Sequence, residues 1–240
     1  MQELTDSLKP VVALVAAAGS GSRLGGGLPK ALRELGGVPL VRRSVQQLAA
    51  GGVQRAVVTV PAGLADEFTA ALAGAPIATE LVVGGAERQD SVRRGLAACA
   101  PDGGDAVLLV HDAARPLVPA TLVARVIAAV RAGHAAVVPV LPVIDSIRRV
   151  SPGPAGRTST VVDRSALVGV QTPQGFDLAT LRRAHEHVAE AGAVVTDDAA
   201  CCEAIGVPVE LVEGSRLAMK ITEPVDLAIA EALLDQAGVD

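Results

Sequence analysis

An α/β sandwich built on a mainly parallel sheet is the fold this sequence predicts, and three observations carry it. Residues 106–110 (Ala-Val-Leu-Leu-Val) are a continuous apolar run without polar alternation, the pattern of a parallel strand covered on both faces. Short runs of this kind alternate with stretches of helical periodicity, as stacked βαβ units require. Half of the 240 residues are hydrophobic, enough to bury a sizeable core.

Residues 11–16 read as a first buried strand, and a glycine-rich loop spans 19–29. A helix is predicted over 39–50, ended by Gly51-Gly52, then a strand at 56–60 and a helix at 64–73. A strand at 79–83, a helix at 88–98 and the strand at 106–110 follow, then a long helix at 119–131 and a strand at 135–140. There the alternation breaks. Two β-like runs, 147–150 and 158–162, flank the turn Ser151-Pro152-Gly153-Pro154, which predicts a hairpin projecting from the main sheet. Helices return at 178–191 and 197–205, strands are predicted at 209–212 and 219–222, and a last helix runs from 224 to about 236. Pro224 suits a first helical turn. With no repeat and no dividing linker, the chain reads as one domain over 1–240 with an arm at about 142–170.

Composition narrows the function classes. The net charge is −5 and aromatic residues make up about 1%, with no Trp and no Tyr. That argues against a nucleic-acid binder, which needs a basic footprint and stacking platforms. No apolar stretch of membrane-spanning length occurs without a break or charge, so no span is expected. The first ten residues carry Glu3 and Asp6 and lack a basic segment, unlike a signal peptide. Cys99, Cys201 and Cys202 have no framework spacing and predict core packing. The expectation is a soluble, cytoplasmic protein.

In open α/β sheets ligands sit beyond the carboxyl ends of the strands. Two segments fall there. The first is Ala16-Ala17-Ala18-Gly19-Ser20-Gly21-Ser22-Arg23-Leu24-Gly25-Gly26-Gly27-Leu28-Pro29-Lys30. Its small residues let backbone amides approach a ligand, and its glycines permit the backbone angles that turn successive N–H groups toward an anion. Arg23 offers a fork of donors and Lys30 a point charge, which suits a triphosphate. A dinucleotide fingerprint fits poorly: Leu24 stands where a third small residue is needed, and Thr59-Val60-Pro61 holds no ribose-binding acid. A Walker A loop also fits poorly, because Lys30 follows Pro29 and precedes Ala31. The second segment is His111-Asp112, after the fourth strand.

The loop resembles that of sugar-phosphate nucleotidyltransferases. Further segments are Gly84-Gly85-Ala86-Glu87-Arg88-Gln89-Asp90-Ser91-Val92, His111-Asp112-Ala113-Ala114-Arg115-Pro116, Val162-Asp163-Arg164, Gln171-Thr172-Pro173-Gln174, Thr196-Asp197-Asp198 and Met219-Lys220-Ile221-Thr222. In this order they resemble the 2-C-methyl-D-erythritol 4-phosphate cytidylyltransferase family over nearly the whole chain. The resemblance implies a Rossmann-like three-layer α/β sandwich with a protruding β-hairpin dimerisation arm. It implies transfer of CMP from CTP to a small polyol phosphate, with pyrophosphate released, in non-mevalonate isoprenoid synthesis. Arg23, Lys30 and Lys220 would face the α-phosphate, where fixed cations aimed at developing charge give the largest catalytic effect. Asp112 would hold Mg²⁺. Ala16, Ala17, Ala18, Gly19, Gly84, Gly85, Ser91 and Ala113 would line the nucleotide, and Arg115, Ser146, Arg164 and Thr172 the acceptor.

Two departures from the family pattern stand out. Ala86 stands where some relatives carry a polar or acidic residue, so a side-chain contact to the nucleotide is lost or moved. Ser146 replaces a common Thr and keeps the hydroxyl. Burial of Val161, Val162, Leu167 and Val168 between two arms would favour a C2 homodimer. His111 and Thr196-Asp197-Asp198 are read as structural, the latter as a helix N-terminus. His185 and His187, two apart on a helix, face different directions and make no metal pair. A ribitol 5-phosphate cytidylyltransferase and a non-catalytic nucleotide-binding module are the alternatives.

Overall fold

The computed structural model describes residues 9–19, 27–99, 104–153 and 156–237. The central sheet contains β1 (Val11–Ala16), β4 (Arg55–Val60), β5 (Ala78–Val83), β6 (Val107–Asp112) and β7 (Ala136–Pro142). It is completed by β10 (Val168–Val170), β11 (Gln174–Asp177) and β12 (Glu210–Glu213). The strands β7-β11-β6-β1-β4-β5 are hydrogen-bonded in that order, and β10 and β12 also pair with β7. The pairs β1–β4, β1–β6, β4–β5 and β7–β12 are parallel, while β10 and β11 run antiparallel to their neighbours. The mainly parallel sheet is therefore as expected.

Alternation along β1 shows why three layers form. Val11, Ala13 and Val15 pack into one core with α1 (Leu40–Ala50), α2 (Ala65–Ala71) and α4 (Ala120–Arg131). Val12 and Leu14 pack into a second core with α3 (Arg88–Ala98), α5 (Leu178–Glu190) and α6 (Asp198–Ala204). Successive strand side chains point to opposite faces, so an all-apolar strand needs helices on both. A third, small cluster of Leu35, Leu40, Ile221 and Ala230 seats α7 (Pro224–Ala237) near a two-stranded ribbon of β2 (Glu34–Leu35) and β3 (Val38–Pro39). Cys99, Cys201 and Cys202 are buried and free, their thiols pushed up to about 12 by burial, as core packing requires. Among the described residues no helix is long and apolar enough to cross a membrane.

Three features differ from the sequence reading. The segment 219–222 is not a strand: it follows a 3₁₀ turn at Arg216–Ala218 and makes no ladder. Among the described residues its one backbone-to-backbone bond is Ile221 N–H to the Ala114 carbonyl at 2.8 Å, and side chains supply the rest of its anchoring. The strand β11 was hidden because Gln174-Gly175-Phe176-Asp177 has neither alternation nor β-branched residues, yet it sits centrally between β6 and β7. Gly175 permits this, since a Cβ there would strike Val126 and Val130 of α4. Finally, β10 and β11 lie along the same edge of β7 but out of register. From Val170 (opposite Val140) to Gly175 (opposite Val137), one strand advances five residues and the other three. The extra residues form a bulge at 171–173, and bulges re-aim side chains next to active sites.

The predicted hairpin is present as β8 (Ile147–Gly153) and β9 (Gly156–Val162), paired only with each other.

Candidate active site

The chain leaves β1 for β4 on one side and returns to β6 on the other. The carboxyl ends of β1 and β6 therefore flank a topological switch point, where open α/β sheets bind ligands. A cleft of about 220 Å³ opens there. Ala16, Ala17, Ala18 and Gly19 form one wall, Gly85, Ser91 and Ala113 the other, and Lys30, Arg88, Asp112 and Lys220 supply charge. Arg23 lies outside the described residues.

Each charged group has a defined seat. Asp112 ends β6 and is 8% exposed. Lys220 Nζ reaches its Oδ2 at 2.7 Å, and Arg88 Nε its Oδ1 at 3.2 Å. Burial alone would raise the Asp112 pKa, but Arg88, Lys220 and Arg115 outweigh it and hold the carboxyl far below the usual range. Lys30 Nζ donates to the Ile221 carbonyl at 2.9 Å, next to Lys220 in the chain. The two lysines are thus linked through Ile221, although nearly the whole fold separates them in sequence.

The wall carrying Gly85 is shaped by Ser91, while Gly84, expected to line the nucleotide, sits just behind it and does not line the cleft. The Ser91 hydroxyl accepts from Gly85 N–H at 3.0 Å and donates to the Glu87 carbonyl at 3.0 Å. Ser91 holds the turn that lines the cleft, in addition to lying in its wall. Ala86 is exposed beside it.

The four acceptor residues do not line this cleft. Thr172 is buried in the bulge, where its hydroxyl accepts from Asp112 N–H at 3.1 Å and meets His111 Nδ1 at 3.1 Å. Arg115 donates to the carbonyls of Ala218 at 2.6 Å and Val170 at 3.5 Å, which braces the approach to Lys220. Ser146 and Arg164 are exposed at the base of the arm. The Asp163 carboxylate accepts from Ser165 N–H at 2.9 Å in a local turn, rather than pairing with Arg164. Gln171 adds a brace that the sequence did not reveal: its side-chain amide pairs with both backbone groups of Ser215, at 2.8 and 2.9 Å.

His111 is structural, as expected. Fully buried, it sits between Thr172 and the Arg115 carbonyl at 3.3 Å, and burial lowers its pKa to about 4. The neutral ring then donates from Nε2 and accepts at Nδ1 from Thr172. Below its unfolded value of 6.5 the unfolded chain takes a proton that the folded chain refuses. Stability is therefore expected to fall as pH drops from about 6.5 to about 4, by up to about 3 kcal/mol from this group. Urea unfolding across that window checks it, with His111→Gln expected to flatten the slope. The lowered carboxyls of Asp112 and Asp198 act only below 3.8, so the two effects separate.

Asp197 caps α6 as expected, accepting from Ala200 N–H at 3.0 Å, and His185 and His187 point apart, one buried and one exposed. Arg88 was overlooked in the sequence, where it reads as an ordinary first-turn residue. Its partner Asp198 lies far along the chain, at 2.8 Å.

A cleft at the switch point of a mainly parallel sheet, lined by small residues and edged by two lysines and an aspartate, is the arrangement of a nucleotidyltransferase-type α/β protein. The family model for 2-C-methyl-D-erythritol 4-phosphate cytidylyltransferase matches residues 11–236. The chain belongs to that family. Enzymes of this name from Nocardia farcinica and Saccharopolyspora erythraea are 51% and 50% identical to it, over 94% and 93% of this chain and 94% and 99% of theirs. The crystal structure of the Thermus thermophilus enzyme of this name has 38% identity and a TM-score of 0.76, covering 95% of this chain and 99% of that one.

Proposed function

We propose that the cleft binds CTP and that Lys30 and Lys220, with Arg23, carry transfer of its CMP unit to 2-C-methyl-D-erythritol 4-phosphate. The observation that carries this reading is the convergence of Lys30, Lys220 and Asp112 at the ends of β1 and β6. In the reaction an acceptor phosphate oxygen attacks the α-phosphorus, the bond to the β-phosphate oxygen breaks, and pyrophosphate leaves with that electron pair. The attacking oxygen is already ionised, so no general base is needed. Two anions must meet, and fixed cations already in place lower the barrier most. Holding both reactants in line supplies much of the remainder.

Asp112 is the residue that would hold Mg²⁺. Among the described residues no cluster of three or more His, Cys, Asp or Glu could cage a metal alone. One permanently ionised carboxylate beside a triphosphate suits magnesium, which takes carboxylate, phosphate and water oxygens. Bound there, the ion would neutralise phosphate charge. Lys220 already shares the same carboxylate, so its ammonium stays within reach of the reacting phosphate.

We read the arm as the dimer contact. An isolated two-stranded hairpin is marginal in water, and this region exposes Val150, Val161, Leu167, Val168 and Val170. Pairing of two arms would cover them and bring Ser146 and Arg164 to the partner's cleft. Arg164→Ala is expected to raise KM for the acceptor about tenfold or more, the loss of a charged hydrogen bond, while CTP affinity stays within about threefold. Steady-state kinetics and CTP titration check this; equal losses would remove Arg164 from the acceptor cradle.

The deciding assay is pyrophosphate release with CTP and Mg²⁺, offering methylerythritol phosphate and ribitol 5-phosphate in parallel. Release with the first alone supports the reading. Release with the second alone overturns the acceptor. Binding of CTP without release overturns catalysis.

A further inference from the structure

Behind Asp112 the charges continue into the protein. Arg88, the first residue of α3, places Nε 3.2 Å from Asp112 Oδ1 and Nη1 2.8 Å from Asp198 Oδ2. Asp198 opens α6 and is 1% exposed, and its Oδ1 lies 3.0 Å from Nε2 of His185 on α5, which is 2% exposed. One guanidinium therefore ties two carboxylates, and a buried imidazole steadies the inner one. Lys220 closes the chain at the outer end, 2.7 Å from Asp112 Oδ2.

Burying a carboxylate as deeply as Asp198 is costly, and for stability alone apolar residues of the same volume serve as well or better. The planar fork of an arginine fixes direction as well as charge. Arg88 also lines the cleft. Released from Asp198, it would have a triphosphate as its strongest available partner, and Asp112 would lose one of its two cationic holds.

We propose that Arg88 is a positioning residue, held by Asp198 and His185, that fixes the Asp112 carboxylate and through it Lys220. This rests on the roles given above to Asp112 and Lys220. It accounts for Arg88 and Asp198, which the reaction itself leaves without a task. It also predicts an outcome that loose packing would not: chemistry slows while CTP holds as well as before.

The test uses the full chain, with kcat expressed per CTP-binding site so that unfolded protein is not counted. Asp198→Asn and Arg88→Lys are each expected to lower kcat about tenfold, within the coupling range for residues of one network. The Kd for CTP is expected to stay within about threefold of wild type or to tighten. The double variant is expected to be no slower than the worse single one, because both changes break the same link. Wild-type kcat in either single variant, multiplying losses in the double, or CTP affinity falling in step with kcat would each overturn the proposal. Asp112→Asn is the companion measurement. If it keeps full kcat, the role given to Asp112 is overturned as well; if it is inactive while the double-variant losses multiply, the positioning relay alone falls.

Discussion

Replacing Lys220 with alanine is expected to lower kcat by about two to three orders of magnitude, roughly 3 kcal/mol, and to leave the fold nearly as stable as before. The first figure is the scale for one fixed donor aimed at charge that develops in the transition state. The second follows from exposure. The Lys220 side chain is 42% exposed, so its ion pair with Asp112 is strongly screened and contributes little to folding. Asp112 keeps Arg88, so no carboxylate is stranded. Single-turnover rates at saturating CTP, beside a thermal melt, separate the two quantities. A near-normal rate would remove Lys220 from the chemistry. Lys30→Ala is expected to cost a similar factor for two reasons, since it loses a cation and also releases the carbonyl of Ile221, the residue that follows Lys220. The Lys30 and Lys220 losses should then fall short of additivity.

The fold was legible where burial acts on single elements. Strands covered on both faces cannot alternate, so 11–16 and 106–110 stood out as apolar runs, and the helix at Arg88–Ala98 showed its period. The arm was legible from its turn. Where structure depends on distant partners, the sequence was mute. Gln174–Asp177 is a strand only because β6 and β7 offer it a slot, and 219–222 resembled a strand but follows a 3₁₀ turn that leaves it without a ladder. The site was legible through its loop chemistry and its His-Asp and Lys segments. The sequence did not reveal that Thr172, Arg115 and Ser91 are occupied inside the protein, or that Arg88 and Asp198 meet. Those are contacts between elements, and no local spacing records them.

A methyl group at position 84 should remove both CTP binding and part of the stability, and one at position 19 should affect binding alone. The contrast follows from what each Cβ would meet. At Gly84 it would press into the Cβ of Ala18 and lie 2.8 Å from Ser91 Oγ. Ala18 lines the cleft, and Ser91 holds the turn at Gly85 through that residue's N–H. Neither neighbour is the far end of a flexible side chain, so the backbone must give. Overpacking of that kind costs about 1–3 kcal/mol. Shifts of about 1 Å in a site cost up to about a hundredfold in function, and CTP affinity in Gly84→Ala is expected to fall on that scale. At Gly19 nothing among the described residues lies within 4 Å of the added carbon. Those residues therefore leave room for it, and the backbone there does not demand glycine. On the proposed reading, what the methyl would meet is the CTP whose phosphates approach the loop. Gly19→Ala is expected to melt with the wild type and bind CTP more weakly; unchanged CTP binding would show that phosphates do not pass over Gly19, and would shift the triphosphate toward Lys30. Gly104→Ala, also with no described residue within 4 Å of its Cβ but outside the cleft lining, serves as the control for both.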